Sequence, residues 1–224
     1  MNKIMQSKEE LQEALCDVRN SFRLLKEYQQ RMLDIVSYIK ERYSMPEFSG
    51  KKHFCDKIRN KRSGYADLQV WKDMWAWDFL YAYEFEYYLG QNSVKLDDVN
   101  LRYAMSVLQV SDSGFYESTE SQKHRNRIET FKESVESSSA LIFIFERIKG
   151  NADWLWDSGA SILDEVGVSL IKNKGASMVV NKGNNCFIAA RYPLEEFFDQ
   201  ASCDTVLREF DNLVHKESDV QLLK

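Results

Sequence analysis

At 224 residues, with 44% hydrophobic and 29% charged side chains, the chain is long enough for a domain with a sizeable core, and its composition excludes wholesale disorder. The net charge of −5 is unevenly spread: residues 1–76 hold 15 Lys and Arg against 11 acids, the remainder 15 against 24, so an anionic partner is expected to meet the N-terminal part. The longest strongly apolar run, Ala140 to Phe145, is far below the ~20 residues that span a bilayer, and Met1 to Glu10 has no secretory-signal pattern, so a cytoplasmic protein is expected.

Ser7 followed by Glu10 is a capping-box signature and predicts a helix start. From there Leu11, Leu15, Val18, Phe22, Leu25, Gln29, Met32, Val36, Ile39 and Tyr43 alternate at spacings of four and three, a heptad seam kept for more than four repeats. Ala14, Tyr28 and Ile35 widen this stripe, and Gln29 is its single polar member, of the kind that fixes register between paired helices. Two uses are open: a dimerisation or partner-binding helix, with Leu15, Phe22, Leu25, Gln29, Met32 and Val36 as contact residues, or one long helix folded back on its own domain. Pro46 and Gly50 are expected to end it.

Lys51 to Arg62 reads K-K-H-F-C-D-K-I-R-N-K-R, a short helix pattern fanning out Lys51, Lys52, Lys57, Arg59, Lys61 and Arg62. Such a patch could contact several phosphates, which makes nucleic acid a candidate partner. The aromatic stretch that follows is the strongest signal in the chain. Odd positions from Trp77 to Leu89 are all large and apolar, while Asp78, Glu84 and Glu86 lie on the other side, as in a strand with one buried face and solvent-facing carboxylates. Gly90-Gln91-Asn92-Ser93 reads as the turn that closes this strand, with an antiparallel strand at Leu101 to Val110. Tyr116 to Ser139 is expected to hold an exposed helix, from the Thr119/Gln122 capping spacing and the stripe Ile128, Phe131 and Val135. Ala140 to Phe145 suits a strand buried on both faces. A helix at Ala160 to Lys172, a hairpin of Met178–Val180 and Cys186–Tyr192 turning over residues 181–184, and a last helix from Ser202 complete the set.

These elements predict an α+β fold, with a long N-terminal heptad helix and a mainly antiparallel sheet of about five strands flanked by helices. The division expected is 1–62 for the helix plus basic segment and 63–224 for the core domain. Four scattered cysteines without a C-x-x-C pair point to reduced thiols, and neither a structural metal nor a cofactor is called for. Nucleophile, zinc, P-loop and dinucleotide signatures are missing from the sequence. The one chemical constellation is carboxylate: Glu84 and Glu86 two apart on a strand, Asp78 on the same face and Asp112 after the neighbouring strand could hold Mg²⁺ for phosphodiester cleavage. Against that, no E-x-K follows either Glu, and the E-R-I-K of Glu146 to Lys149 is one residue too long. The sequence therefore favours a non-catalytic interaction or assembly protein acting through its N-terminal helix, with a nucleic-acid-binding protein or Mg²⁺-dependent nuclease as the alternative.

Overall fold

The computed structural model describes residues 7–52, 83–96, 99–123, 127–150, 170–171 and 177–223. It divides into two compact units, residues 1–38 and residues 39–224. The class is α+β, as the sequence indicates, and the described residues form six strands, against the expected five or so.

Helix α1 (Lys8–Arg42) is a single uninterrupted run of 35 residues, about 50 Å at the helical rise. It contains neither Gly nor Pro. Ser7 Oγ accepts from Glu10 N at 3.1 Å, so the predicted cap is made, and Glu9 and Glu10 in the first turn with Lys40 and Arg42 in the last complement the helix dipole. The helix ends at Arg42, four residues before Pro46. Ser44 is left-handed (φ 52°), Ser44 N donates to Glu41 O and Met45 N to Lys40 O, which is the paired 5→2 and 6→1 closure of a Schellman end.

The second unit is built on an antiparallel sheet of β1 (Ser49–Lys52), β2 (Glu84–Leu96), β3 (Val99–Val110), β4 (Ala140–Lys149), β5 (Ser177–Lys182) and β6 (Asn185–Pro193), in the order β1-β2-β3-β4-β6-β5. Strand β4 lies near the centre and is buried from Ala140 to Ile148, which is why its sequence is apolar on both faces. On one face Phe143 packs against Phe210 and Phe197, at ring separations of 5.1 and 6.0 Å, under the buried stripe Val206, Leu207, Phe210 and Val214 of α4 (Gln200–Ser218). The end of α1 is tied to α4 as well: Tyr43 Oη donates to Leu207 O at 2.8 Å and Arg42 Nε to Asp204 at 3.1 Å. On the other face Leu108, Val110, Ile142, Ile144, Phe187 and Ala189 form a second apolar layer with Leu170 and Ile171.

Four local expectations are corrected. Gly90 to Ser93 is no turn: β2 runs straight through it, and the register slips between Tyr88 and Gly90 as a β-bulge. Gly90 sits at φ +100°, and a Cβ there would come within 2.9 Å of Pro46 and Glu47, so glycine is demanded twice over. In place of the one helix expected over 116–139, the described residues of 114–139 hold two short helices, α2 (Gly114–Glu117) and α3 (Thr119–Lys123), and a 3₁₀ turn at Ile128–Thr130. The β5–β6 turn is the two residues Gly183 and Asn184, narrower than predicted. Helix α4 starts at Gln200 instead of Ser202, because Asp199 caps it by accepting from Ser202 N. The predicted helix at Ala160 to Lys172 falls mainly outside the described residues; Leu170 and Ile171 are helical and buried.

Candidate interaction surface

The heptad seam of α1 changes character along its length. In the coiled-coil convention Leu15, Phe22, Gln29, Val36 and Tyr43 take position a, and Leu11, Val18, Leu25, Met32 and Ile39 position d. Met32, Val36, Ile39 and Tyr43 are buried, and Gln29 is half-buried. The five seam residues before them are open: Leu11 46% exposed, Leu15 46%, Val18 49%, Phe22 62% and Leu25 40%. Leu33, at position e, adds further exposed apolar area beside the seam, while the exposed Leu24 is at c on the opposite side of the helix. Single exposed leucines are ordinary on protein surfaces, but five in strict heptad register on one face are a stripe of the kind that marks an interaction site.

The flanks of the open stretch are unlike each other. Position e carries Gln12, Arg19 and Lys26, while position g carries Ala14, Ser21 and Tyr28, so one edge is cationic and the other small or neutral. Ser21 Oγ bonds Asp17 O at 2.8 Å, which satisfies its hydroxyl within the helix. The acids of this stretch (Glu9, Glu10, Glu13, Asp17 and Glu27) lie on the opposite side of the helix at b, c and f.

The predicted carboxylates have a different setting from the one expected. Glu84 is 5% exposed and does not face water; Glu86 is half-buried and accepts from Ser106 Oγ at 2.8 Å. Their face of the sheet carries the second apolar layer, which the strand's own alternation could not reveal. Asp112 is committed to the turn after β3, where its Oδ1 accepts from Gly114 N at 2.7 Å. Its charge, after burial itself, holds the neighbouring Tyr83 phenol well above the usual tyrosine range. Asp78 lies outside the described residues. Glu146, fully buried in β4, accepts from Asn185 at 2.8 Å and is separated from Glu84 and Glu86 by the whole of β3. Among the described residues no three His, Cys, Asp or Glu side chains come together at metal-binding spacing.

Of the basic segment, Lys51 and Lys52 are described, and they belong to an edge strand instead of a helix. Lys51 stands opposite Glu86 and Lys52 opposite Phe85, while Gly50 leaves room for the Phe85 ring, which a Cβ would overlap at 2.2 Å. Lys57, Arg59, Lys61 and Arg62 fall outside the described residues.

A polar network that the sequence did not suggest links three loops behind the sheet end. Ser113 Oγ donates to Glu117, whose other oxygen accepts from Lys132 at 2.7 Å; Ser138 N donates to Ser113 Oγ at 2.9 Å, and Arg191 Nη2 to Ser138 Oγ at 2.7 Å. Burial lowers the Arg191 guanidinium below its ordinary value, partly offset by Glu117 and Glu195. The only signal for it in the sequence is the density of serine at 111–113 and 137–139, which does not name the partners.

The PM0109 family model matches residues 8–219, from the first residue of α1 to the left-handed residue that caps α4. The chain belongs to the PM0109 family. No curated protein and no solved structure matches it. The PM0109 match takes in the open part of the heptad seam together with the six described strands. Among the described residues no helix is long and apolar enough to cross a membrane.

Proposed function

We propose that this protein acts by association, as a non-catalytic assembly protein or accessory subunit whose N-terminal helix docks another helix on the open half of its seam. The observation that supports the reading is the run of five exposed seam residues, Leu11 to Leu25, in unbroken heptad register. The stripe costs free energy while it faces water, and about 25 cal/mol would be recovered for each Å² that a partner covers. A helix-in-groove or helix-on-helix mode, anchored at i, i+3, i+4 and i+7, is the recognition chemistry such a stripe offers. We take the cytoplasm as its compartment; the free thiols Cys16 and Cys186 support that.

The test is a photo-crosslinking residue placed at Phe22 in the full-length protein in its native cells. Adducts to another polypeptide are expected at Phe22, well above the yield from the same residue at Val135, which is 91% exposed and off the seam. Equal yields at the two positions would overturn the reading.

A further inference from the structure

We infer that the helix received by the open seam belongs to a partner protein and is acidic along the edge that faces Arg19 and Lys26. This rests on the association reading above and names the chemistry of its partner. Arg19 and Lys26 occupy successive e positions, about 10 Å apart along the helix axis, and Arg23 stands between them at the neighbouring b position. All three are exposed, and among the described residues none of them enters an ion pair. The helix does not neutralise this edge itself. The residues three and four away from Arg19 are Leu15, Cys16, Phe22 and Arg23, and those around Lys26 are Phe22, Arg23, Gln29 and Gln30, so neither cation has an acid one turn away. Instead Arg23 lies one turn from both, and like charges at that spacing repel. A row of carboxylates brought up beside the seam relieves that repulsion.

A second copy of the chain does not supply such a row. Between Lys8 and Arg31 the e positions hold Gln12, Arg19 and Lys26 and the g positions Ala14, Ser21 and Tyr28, so neither a parallel nor an antiparallel copy sets an acid against the cations. An anionic membrane surface fits poorly as well. Residues 7–28 hold four cations (Lys8, Arg19, Arg23 and Lys26) against five acids (Glu9, Glu10, Glu13, Asp17 and Glu27), whereas helices that lie on anionic lipid are rich in Lys and Arg over the polar face. A helix with apolar a and d residues and Asp or Glu along its flank answers both features, covering the stripe from Leu11 to Leu25 and pairing the cationic edge. Charges at such flanks set partner choice.

The experiment titrates the full-length protein into two fluorescein-labelled synthetic helical peptides, both with Leu at a and d, one with Glu at e and g and the other with Lys there, and reads anisotropy. The Glu-edged peptide is expected to bind about tenfold more tightly, since two exposed ion pairs replace two like-charge contacts, and to weaken as salt rises. The double variant Arg19→Glu, Lys26→Glu, changed only at exposed positions, should invert the preference, and Phe22→Asp should lose both peptides. Equal binding of the two peptides, or a preference that the double variant does not invert, overturns the acidic edge and leaves the association reading in place. Binding of neither overturns it too: a chain that then sediments heavier than its 26.3 kDa monomer has a second copy on the seam, one that pellets with phosphatidylglycerol vesicles a lipid surface, and one that does neither while the Phe22 crosslinks persist a helix of different chemistry. The association reading fails separately, on equal crosslinking at Phe22 and Val135.

Discussion

Asp199 shows how much a single side chain decides. It stands in extended backbone before α4 and accepts from Ser202 N at 2.8 Å, satisfying one of the amide groups that the first helical turn leaves open. The hydrogen bonds from Ser202, backbone first, hold its carboxyl below the usual aspartate range. A folded-state value below the unfolded one means stability that is present above the ordinary aspartate pKa and is lost as the pH falls through the lowered folded value. Asp199→Ala is therefore expected to melt at a lower temperature than wild type at pH 7, with the gap narrowing as the solution is acidified below pH 4. Asp199→Asn, which keeps the acceptor but not the charge, should fall between them; a gap in Tm that is independent of pH would show that the charge plays no part. The sequence located this helix but placed its start at Ser202, because Asp-x-x-Ser offers two capping side chains and only the backbone turn selects one. Residues whose role depends on a distant neighbour were less legible: nothing local ties Arg191 to Ser138, or Glu86 to Ser106.

Among the elements, strands read from alternation and apolar runs were found where the pattern was strong, as at β3 and β4. The misreadings share a cause, which is that one residue chemistry serves two backbone geometries. Gly90 with Asn92 and Ser93 suits a turn, but a bulge also wants a left-handed glycine, and only the pairing of Gln91 to Leu96 with β3 distinguishes them. In residues 116–139 the capping spacing and apolar stripe were present, yet Ser118 Oγ bonds Thr130 O, Thr130 Oγ1 bonds Arg127 O and Ser137 Oγ bonds Ser134 O. Such side-chain bonds offer the backbone local alternatives to a helical ladder. The buried setting of Glu84 was hidden because a covering layer on the second face leaves no mark in the strand it covers. Strand β4 carries the clearest energetic expectation at this scale. Phe143 is fully buried and touches Tyr192, Phe197 and Phe210, so its ring joins two strands, a 3₁₀ turn and α4. Phe143→Ala should cost about 3–5 kcal/mol in denaturant titration. A loss under about 1 kcal/mol would mean that the central strand is not the hub of that layer.

At the scale of the whole molecule the heptad helix was legible as an element, while the division of its seam was not. Periodicity records that each position is apolar on one side, without recording which turns have neighbours in the folded chain. Phe22 and Met32 have equal standing in the pattern, yet Phe22 is 62% exposed and Met32 is 0% exposed. The two residues should answer differently to the same substitution. Met32→Asp places a carboxylate where water is excluded and is expected to cost about 3 kcal/mol or more, seen as a lower denaturant midpoint. Phe22→Asp replaces an exposed side chain, so its midpoint measured on dilute protein should stay within about 0.5 kcal/mol of wild type. Its effect should appear only when a partner helix covers the seam, as lost binding of the Glu-edged peptide. A charge at Phe22 also falls inside the run of five open layers, where a partner helix would have to bury it. If Phe22→Asp instead unfolds the dilute protein while Met32→Asp is tolerated, the open and covered parts of the seam have been exchanged. If both variants bind that peptide like wild type and keep its stability, the seam has no role in either folding or assembly.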